Sequence, residues 1–301
     1  MNIGKFILCI TFFFPAIMPV KAASEIAFVW RGSTTKAKTF EIWAESGETI
    51  TVDWGDGTTG NYTGKGINFD EEHKVTASHY YNIESFRKVL ITGNVVKFRC
   101  HRQVMTTLNV TRNELLTSLD CSYNKLKNID LNKNTMLNNL NCSKNLLLTL
   151  DVSKNLKLKV LNCFDNKRIK NLNVGNNTEL TYLNCYKIGL SNLDVSSNTA
   201  LETLICHTNN ITKLKIGYNT TLRLLNCKKN SLSAMELNRI FESLPLLSVA
   251  EDAGLSIAKK EGNTVSNPSP SVGEIIITSN PGGNSCSKQI AEKKGWKFLY
   301  N

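Results

Sequence analysis

Apolar residues between positions 98 and 237 recur with a regular long-range spacing. Seven cysteines follow one another at intervals of 21 or 22 residues, each with an apolar residue two positions before it and most with an asparagine three positions after it. The cysteines are Cys100, Cys121, Cys142, Cys163, Cys185, Cys206 and Cys227. Self-similarity at a period between about 20 and 50 residues is the signature of a solenoid, so the pattern predicts a stack of short coils.

Each repeat contains two similar halves, as segment 119–137 illustrates. The first half follows Leu-x-Cys-x-x-Asn, and the second ends in Ile-x-Leu here, or in Leu-x-Val in later repeats, with an asparagine three positions later. Alternation places the leucine and the following cysteine or valine on one face of a short strand. The asparagine can satisfy backbone groups inside the next bend. Because neither half is long enough for a regular helix, extended structure is predicted on both walls of the coil.

This repeat resembles the leucine-rich-repeat family. Within that family it is similar to secreted Bacteroidetes proteins that use Leu-x-Cys-x-x-Asn-x-Leu-x-x-Leu-x-Val-x-x-Asn, often beside a β domain containing Trp-Gly-Asp-Gly. The resemblance covers nearly the whole chain after residue 22. It implies a binding or adhesion role and identifies no partner.

Segment 23–96 shows strand-like alternation without a helical period. Strands are predicted at 40–43, 49–52 and 87–92, and the Asp-Gly at 56–57 favours a hairpin because glycine adopts positive φ at little cost. The order Val-Asp-Trp-Gly-Asp-Gly-Thr-Thr and then His-Tyr-Tyr resembles the polycystic-kidney-disease-type β-sandwich. That resemblance implies a small β domain, although segment 67–77 departs from the family pattern and leaves the number of strands open.

Asp53 and Asp56 in this turn form a carboxylate pair that invites a catalytic or calcium-binding interpretation. A paired-carboxylate enzyme needs two acids in opposed environments across a cleft, and the turn supplies neither a further ligand nor a base. The interpretation favoured by the sequence is a turn whose carboxylates accept backbone N–H bonds.

Residues 1–22 have the pattern of a secretory signal. Lys5 precedes an apolar run at 6–20, and Val20 and Ala22 are placed for cleavage after Ala22. The run is shorter than about 18 residues, so a membrane span is disfavoured. Removal of this segment takes away two lysines and no acid, which lowers the net charge from +11 to +9. Export makes nucleic acid the least expected partner of this basic chain.

The repeat pattern ends near residue 232, where a helix signature begins. Ser233 is the expected N-cap with Glu236 three positions later, and apolar residues from Leu237 to Leu244 follow a helical spacing. A strand at 274–278, a short helix near 287–294 and a strand at 296–300 follow. Because the open end of a solenoid exposes its core, these elements predict a small α/β cap.

The cysteine ladder raises the question of metal or disulfide chemistry. Thiols spread along a line do not converge on one metal ion. Disulfides remain an alternative, since coils about 4.8 Å apart bring the Cα atoms within bridging range. Parallel side chains keep their Cβ atoms too far apart, however, and seven is an odd number. The sequence therefore favours buried free thiols that act as small hydrophobic side chains.

Catalytic motifs are not found in the sequence. The pairs Cys100-His101 and Cys206-His207 are adjacent on strands, which directs the thiol and the imidazole to opposite faces. Aspartates recur at Asp130, Asp151 and Asp194 on the wall opposite the cysteines, where a calcium site is the alternative to a water-exposed structural row. The sequence thus predicts no enzyme, no metal and no cofactor.

Outward positions of the cysteine-bearing strands form the candidate binding site. In the last four coils these positions carry aromatic and apolar residues, with Lys187, Lys228 and Lys229 at the rim, a composition typical of recognition surfaces. The predicted site consists of Val160, Phe164, Tyr182, Tyr186, Ile205, His207, Leu224 and Lys228. The alternatives are that these residues face solvent without a ligand or that segment 246–272 covers them.

Taken together, the patterns predict a mainly β protein in four parts. These are a signal peptide at 1–22, a sandwich-like β domain at 23–96, a leucine-rich-repeat solenoid of 21–22-residue coils at 97–232 and an α/β cap at 233–301. The expected function is non-catalytic recognition or adhesion, with a protein or glycan partner at the cell surface and without an integral membrane span. The expected location is extracellular, on the cell surface or periplasmic, and the alternative function is a structural spacer of the envelope without its own ligand.

Overall fold

The computed structural model describes residues 24–68, 70–247 and 273–300. The predicted signal peptide at 1–22 and most of segment 246–272 lie outside the described residues.

Six strands form the N-terminal part, and those predicted at 40–43, 49–52 and 87–92 are confirmed. The strands are β1 (Glu25–Arg31), β2 (Lys38–Trp43), β3 (Thr49–Asp53), β4 (Thr59–Thr63), β5 (Val75–His79) and β6 (Phe86–Thr92). The predicted hairpin is the antiparallel pair β3–β4. Strand β6 lies between β1 and β3 in one sheet, while β2 pairs with β5 in the other. The two sheets enclose a core rich in tryptophan and phenylalanine.

The solenoid consists of very short strands joined by bends. They are β7 (Lys97–Arg99), β8 (Thr107–Asn109), β9 (Ser118–Asp120), β10 (Asn139–Asn141), β11 (Val160–Asn162), β12 (Tyr182–Asn184), β13 (Asn192–Asp194), β14 (Thr203–Ile205), β15 (Lys213–Lys215) and β16 (Leu224–Asn226). We call the cysteine-bearing side the first wall and the other side the second wall. First-wall strands pair in parallel and in register, with Leu140 opposite Leu119 and Leu161. The predicted mainly β solenoid of short coils is confirmed.

Two internal ladders of asparagines hold successive coils together. Asn145 shows the first ladder: its amide donates to the carbonyls of Cys121 and Cys142, both at 3.0 Å, and its oxygen accepts the N–H of Leu126 at 3.0 Å. Asn134 shows the second, donating to the carbonyls of Val110 at 2.9 Å and of residue 113 at 2.7 Å. Each side chain therefore ties its own bend to the preceding coil.

Both sheets of the sandwich continue into the first coil of the solenoid. Strand β7 pairs with β2, and β8 pairs with β1, so each wall of the first coil continues a sheet of the sandwich. Phe98 on β7 lies with its ring centroid 5.6 Å from that of Phe40 and 6.0 Å from that of Phe28. The open N-terminal end of the solenoid is thus covered by the sandwich core.

The C-terminal end continues the backbone geometry of the coils, although its sequence does not follow the repeat pattern. Helix α1 (Ala234–Ser243), strand β17 (Gly273–Ile276), helix α2 (Gln289–Glu292) and strand β18 (Trp296–Phe298) form the cap. The predicted Ser233 N-cap is confirmed, since its side chain accepts the N–H of Glu236. Strand β17 pairs in parallel with β16, and Asn280 donates to the carbonyl of Cys227 at 3.0 Å as a repeat asparagine would.

Candidate recognition surface

The first wall joins β2, β5, β17 and β18 in an 11-stranded sheet, and we call its solvent side the outer face. Seven of the eight predicted site residues lie on this face with partly exposed side chains. They are Val160, Phe164, Tyr186, Ile205, His207, Leu224 and Lys228. Parallel register brings them together: Val160, Tyr182, Thr203 and Leu224 occupy equivalent positions in adjacent strands.

Tyr182 departs from the prediction, because its side chain is buried and not exposed. Only 9% of it is accessible. Its hydroxyl oxygen accepts a bond from the amide of Asn184, 3.4 Å away and two residues along the same strand, so the ring leans along the sheet. Burial also raises the pKa of Tyr182. Tyr182 is therefore part of the packing beneath the surface rather than a contact residue.

Three rings form a continuous stack, which we call the aromatic ladder. The centroids of Phe164 and Tyr186 are 4.6 Å apart with planes at 10°, and those of Tyr186 and His207 are 4.5 Å apart at 10°. The ladder runs along the solenoid axis because the rings come from successive coils. Its rings cover one another's faces and present their edges outward. Aromatic edges carry the positive part of the ring quadrupole.

A second column of side chains, two positions after each cysteine, was not part of the predicted site. All seven residues there have left-handed backbone conformations, with φ between 51° and 57°. They are Arg102, Tyr123, Lys144, Asp165, Lys187, Thr208 and Lys229. Only the strand positions before and after each cysteine follow from β alternation, and a left-handed residue breaks that alternation. We call this set the turn column.

The turn column extends the aromatic ladder toward the N-terminal end. The guanidinium of Arg102 lies 4.7 Å from the ring centroid of Tyr123. The ammonium of Lys144, which belongs to the coil after Tyr123, lies 4.6 Å from the same ring centroid. Lys144 is also 5.9 Å from the Phe164 centroid. Cations and rings therefore alternate up to the start of the ladder, an arrangement that cation–π attraction stabilises.

Positive charge predominates on the outer face of the seven coils. At the strand positions and the turn column, seven lysines and arginines stand against two aspartates. The basic residues are Lys97, Arg99, Arg102, Lys144, Lys187, Lys228 and Lys229. Asp165 lies 3.4 Å from Lys187, and Arg99 lies 2.7 Å from Glu41 of the sandwich. This surface therefore attracts anionic groups.

The cysteine ladder lies on the inner side of the same wall. All seven cysteines are buried free thiols. Burial raises the pKa of every one of them, to about 12 for Cys163 and Cys227. His207 lies on the outer side, with its Nδ1 2.8 Å from the hydroxyl of Thr208. Cys206 is therefore buried on the inner side and His207 lies on the outer side, as the alternation along the strand predicts.

The thiols of the ladder should resist alkylation in the folded protein. Alkylating reagents attack the thiolate, and burial both hinders access and suppresses ionisation. Brief treatment with iodoacetamide at pH 8 should label none of the seven, whereas treatment in denaturant without a reductant should label all seven. Mass spectrometry of peptides reports both results. Loss of labels in the denatured, unreduced sample would show that disulfides are present.

The carboxylates singled out in the sequence act within turns. Asp53 accepts the N–H of Gly55 at 2.9 Å, and Asp151 accepts that of Ser153 at 2.9 Å. Burial favours a higher pKa for Asp56, but bonds from Thr58 and His79 outweigh it and lower the pKa to about 2. No group of three or more possible metal ligands occurs within the described ranges.

A cleft of about 660 Å³ lies where the sandwich meets the second wall. Glu48, Thr92, Arg112 and Lys133 are among its lining residues. The lining contains neither histidine nor cysteine. Within the described part of the chain, no helix combines the length and apolar character needed to cross a membrane.

Neither a protein-family model nor a curated protein matches this chain. Among solved structures, the functional domain of InlJ from Listeria monocytogenes, which includes a cysteine ladder, is 25% identical and has a TM-score of 0.45. The match covers 67% of this chain and 49% of the InlJ chain, so it spans about half the length of that chain.

Two further solved structures contain leucine-rich repeats. The leucine-rich-repeat domain of APL1B is 20% identical over 45% of this chain and 40% of its own, with a TM-score of 0.41. The ectodomain of the plant membrane receptor kinase GASSHO1/SCHENGEN3 from Arabidopsis thaliana, in complex with CASPARIAN STRIP INTEGRITY FACTOR 2, is 18% identical. That match covers 69% of this chain and 24% of the ectodomain, with a TM-score of 0.44.

Proposed function

We propose that this chain is an exported, non-catalytic recognition protein that binds a protein partner across the outer face of its solenoid. The aromatic ladder of Phe164, Tyr186 and His207 is the observation that carries this proposal. Aromatic side chains on a rigid sheet lose little conformational entropy on binding and are enriched in interface hot spots. The leader-like segment 1–22 supports a location at or outside the cell envelope.

The ring geometry favours a protein over a glycan. A sugar ring binds an aromatic side chain by stacking on the ring face, and the faces within this ladder are occupied by the neighbouring rings. Tyr186 has Phe164 on one side and His207 on the other. The outward edges suit the carbonyl, carboxylate and aromatic groups of a polypeptide, which are attracted to a positive ring edge.

Removal of two rings should weaken partner binding by at least about tenfold, since each hot-spot side chain contributes more than about 1 kcal/mol. A displayed library of random peptides is selected on the wild-type protein. Synthetic versions of the enriched peptides are then titrated against wild type and the double variant Phe164→Ala/Tyr186→Ala. Fluorescence anisotropy gives the dissociation constants, and circular dichroism checks the fold.

Tyr218→Ala provides a matched control, because Tyr218 is 91% exposed and lies outside the ladder. This variant should bind the selected peptides as wild type does. Equal affinity of the double variant and wild type would overturn the proposal. A failure to enrich any peptide would favour the spacer role, and oligosaccharide binding that depends on the ladder would favour a glycan partner.

A further inference from the structure

The cations of the turn column recur on every second coil. Arg102, Lys144, Lys187 and Lys229 belong to the first, third, fifth and seventh coils, and the coils between them contribute Tyr123, Asp165 and Thr208. The four cations share nearly the same φ, 57°, 51°, 56° and 51° in chain order. Their side chains therefore leave the backbone in similar directions, in a straight row along the solenoid axis.

The spacing of this row can be estimated from sheet geometry. Parallel strands lie about 4.8 Å apart, so cations on alternate coils are about 9.6 Å apart, and the four span about 29 Å. Lys144 and Lys187 are also partly covered by neighbouring side chains, which limits how far their ammonium groups wander from this spacing. A linear anionic partner would pair with all four cations only if its own charges repeat at this distance.

One polypeptide conformation supplies that repeat. A polyproline II helix has three residues per turn and rises about 9.3 Å per turn, which places every third side chain on one face. In a β-strand the third residue lies about 10 Å away but points to the opposite face. In an α-helix the equivalent rise of about 9.6 Å takes more than six residues, and its wide body would hold the backbone away from the sheet.

We propose that the outer face binds a partner segment in the polyproline II conformation with an aspartate or glutamate at every third residue. The four carboxylates pair with Arg102, Lys144, Lys187 and Lys229, and the segment lies along the solenoid axis beside the aromatic ladder. This inference rests on the proposed function and specifies the chemistry of the partner.

The neighbouring aromatic side chains fit the same occupant. Polyproline II segments dock in grooves lined with aromatic residues, since their backbone is preorganised and loses little entropy on binding. The ladder of Phe164, Tyr186 and His207 runs parallel to the cation row, one residue earlier in each coil. The backbone carbonyls of the bound segment would face the positive ring edges while the carboxylates reach the cations. Asp165 lies between two cation positions, where the bound segment presents no carboxylate.

The test compares two peptides of identical composition. One has glutamate at every third of twelve positions and proline elsewhere, and the other has its four glutamates in one block followed by the prolines. Fluorescence anisotropy with wild-type protein should give an affinity about tenfold higher for the regular peptide, because four correctly spaced ion pairs each add a modest increment. The affinity should fall at least about tenfold between low and high salt.

Single neutralisations locate the binding row. Lys144→Gln and Lys229→Gln should each weaken the regular peptide about threefold, which is the scale of one exposed ion pair. Lys213→Gln removes the same charge from the second wall, where Lys213 is exposed, and should leave the affinity unchanged. Thermal unfolding of each variant verifies the fold. Glutamine is as strained as lysine in a left-handed conformation, so the replacements at 144 and 229 add no backbone cost.

Several outcomes would overturn the inference. These are equal affinity for the two peptides, equal effects of all three glutamine variants, and tighter binding of an oligogalacturonate, which would indicate an acidic polysaccharide. The proposed function is tested by a separate result. If library-selected peptides lose affinity in the Phe164→Ala/Tyr186→Ala variant but lack acidic residues, recognition through the ladder stands and the acidic polyproline partner does not.

Discussion

Replacement of Asn145 by alanine should lower the free energy of unfolding by about 3 to 5 kcal/mol. The side chain is 4% exposed and makes four hydrogen bonds to backbone groups of two coils. Alanine would leave the carbonyls of Cys121 and Cys142 and the N–H of Leu126 without this partner in the interior. Urea unfolding followed by far-ultraviolet circular dichroism measures the difference.

Asn138→Ala is the matched control for this prediction. Asn138 occupies the bend before β10, where its side chain is exposed, and its loss should change stability by less than about 0.5 kcal/mol. A similar, small effect of both variants would contradict a structural role for the internal asparagine. The contrast is informative because the two variants remove the same chemical group from the two sides of β10.

Replacement of Phe98 by alanine should destabilise the protein by about 3 to 5 kcal/mol, the usual cost of emptying a buried aromatic position. Phe98 is 1% exposed and touches both sheets of the sandwich through Phe28 and Phe40. It is also the first inward residue of the first coil. We therefore expect the sandwich and the solenoid to unfold less cooperatively, with a shallower denaturant dependence in the variant.

Phe86→Ala serves as the reference, because Phe86 is 64% exposed on β6 of the same sandwich. Its removal should cost less than about 0.5 kcal/mol. A loss of stability in Phe98→Ala no larger than in Phe86→Ala would mean that the two parts do not depend on their shared core. An unchanged slope in urea would mean that the two parts still unfold together without Phe98, so that Phe98 does not couple them even if the stability falls.

The repeats made most of the fold predictable. The position of each cysteine determined which residues face inward, and the asparagine three positions later indicated a bend with internal hydrogen bonds. Ser233 and the apolar spacing after it identified α1 for the same reason, since capping and periodicity are local properties of the sequence. Local patterns of this kind carry the information needed for short strands and for helix ends.

The continuity between the sandwich and the solenoid was not predictable in this way. Pairing of β7 with β2 and of β8 with β1 joins segments that are distant in the chain, and no local pattern specifies such a pairing. The sequence suggested a boundary near residue 96. In the structure, two sheets contain strands from both sides of that boundary.

The candidate surface was predicted in part for a similar reason. Alternation identified Phe164, Tyr186 and His207 as outward, and this was confirmed. It could not show that Tyr182 leans along its strand, because that depends on the side chains of adjacent coils. Of the turn column, the sequence named only Lys187 and Lys229, as rim residues, since a left-handed residue follows the strand and lies outside the alternating pattern.

The shared sheets also bear on how the chain reaches its folded state. Strands β3, β6 and β1 pair with one another within the first 92 residues, so the sandwich can form while later coils are still unfolded. Each subsequent coil then needs only the preceding one as a template, because solenoid coils contact their immediate neighbours. Synthesis delivers the coils in that same order. We therefore expect the coils to fold in chain order, from the sandwich toward the C-terminal cap.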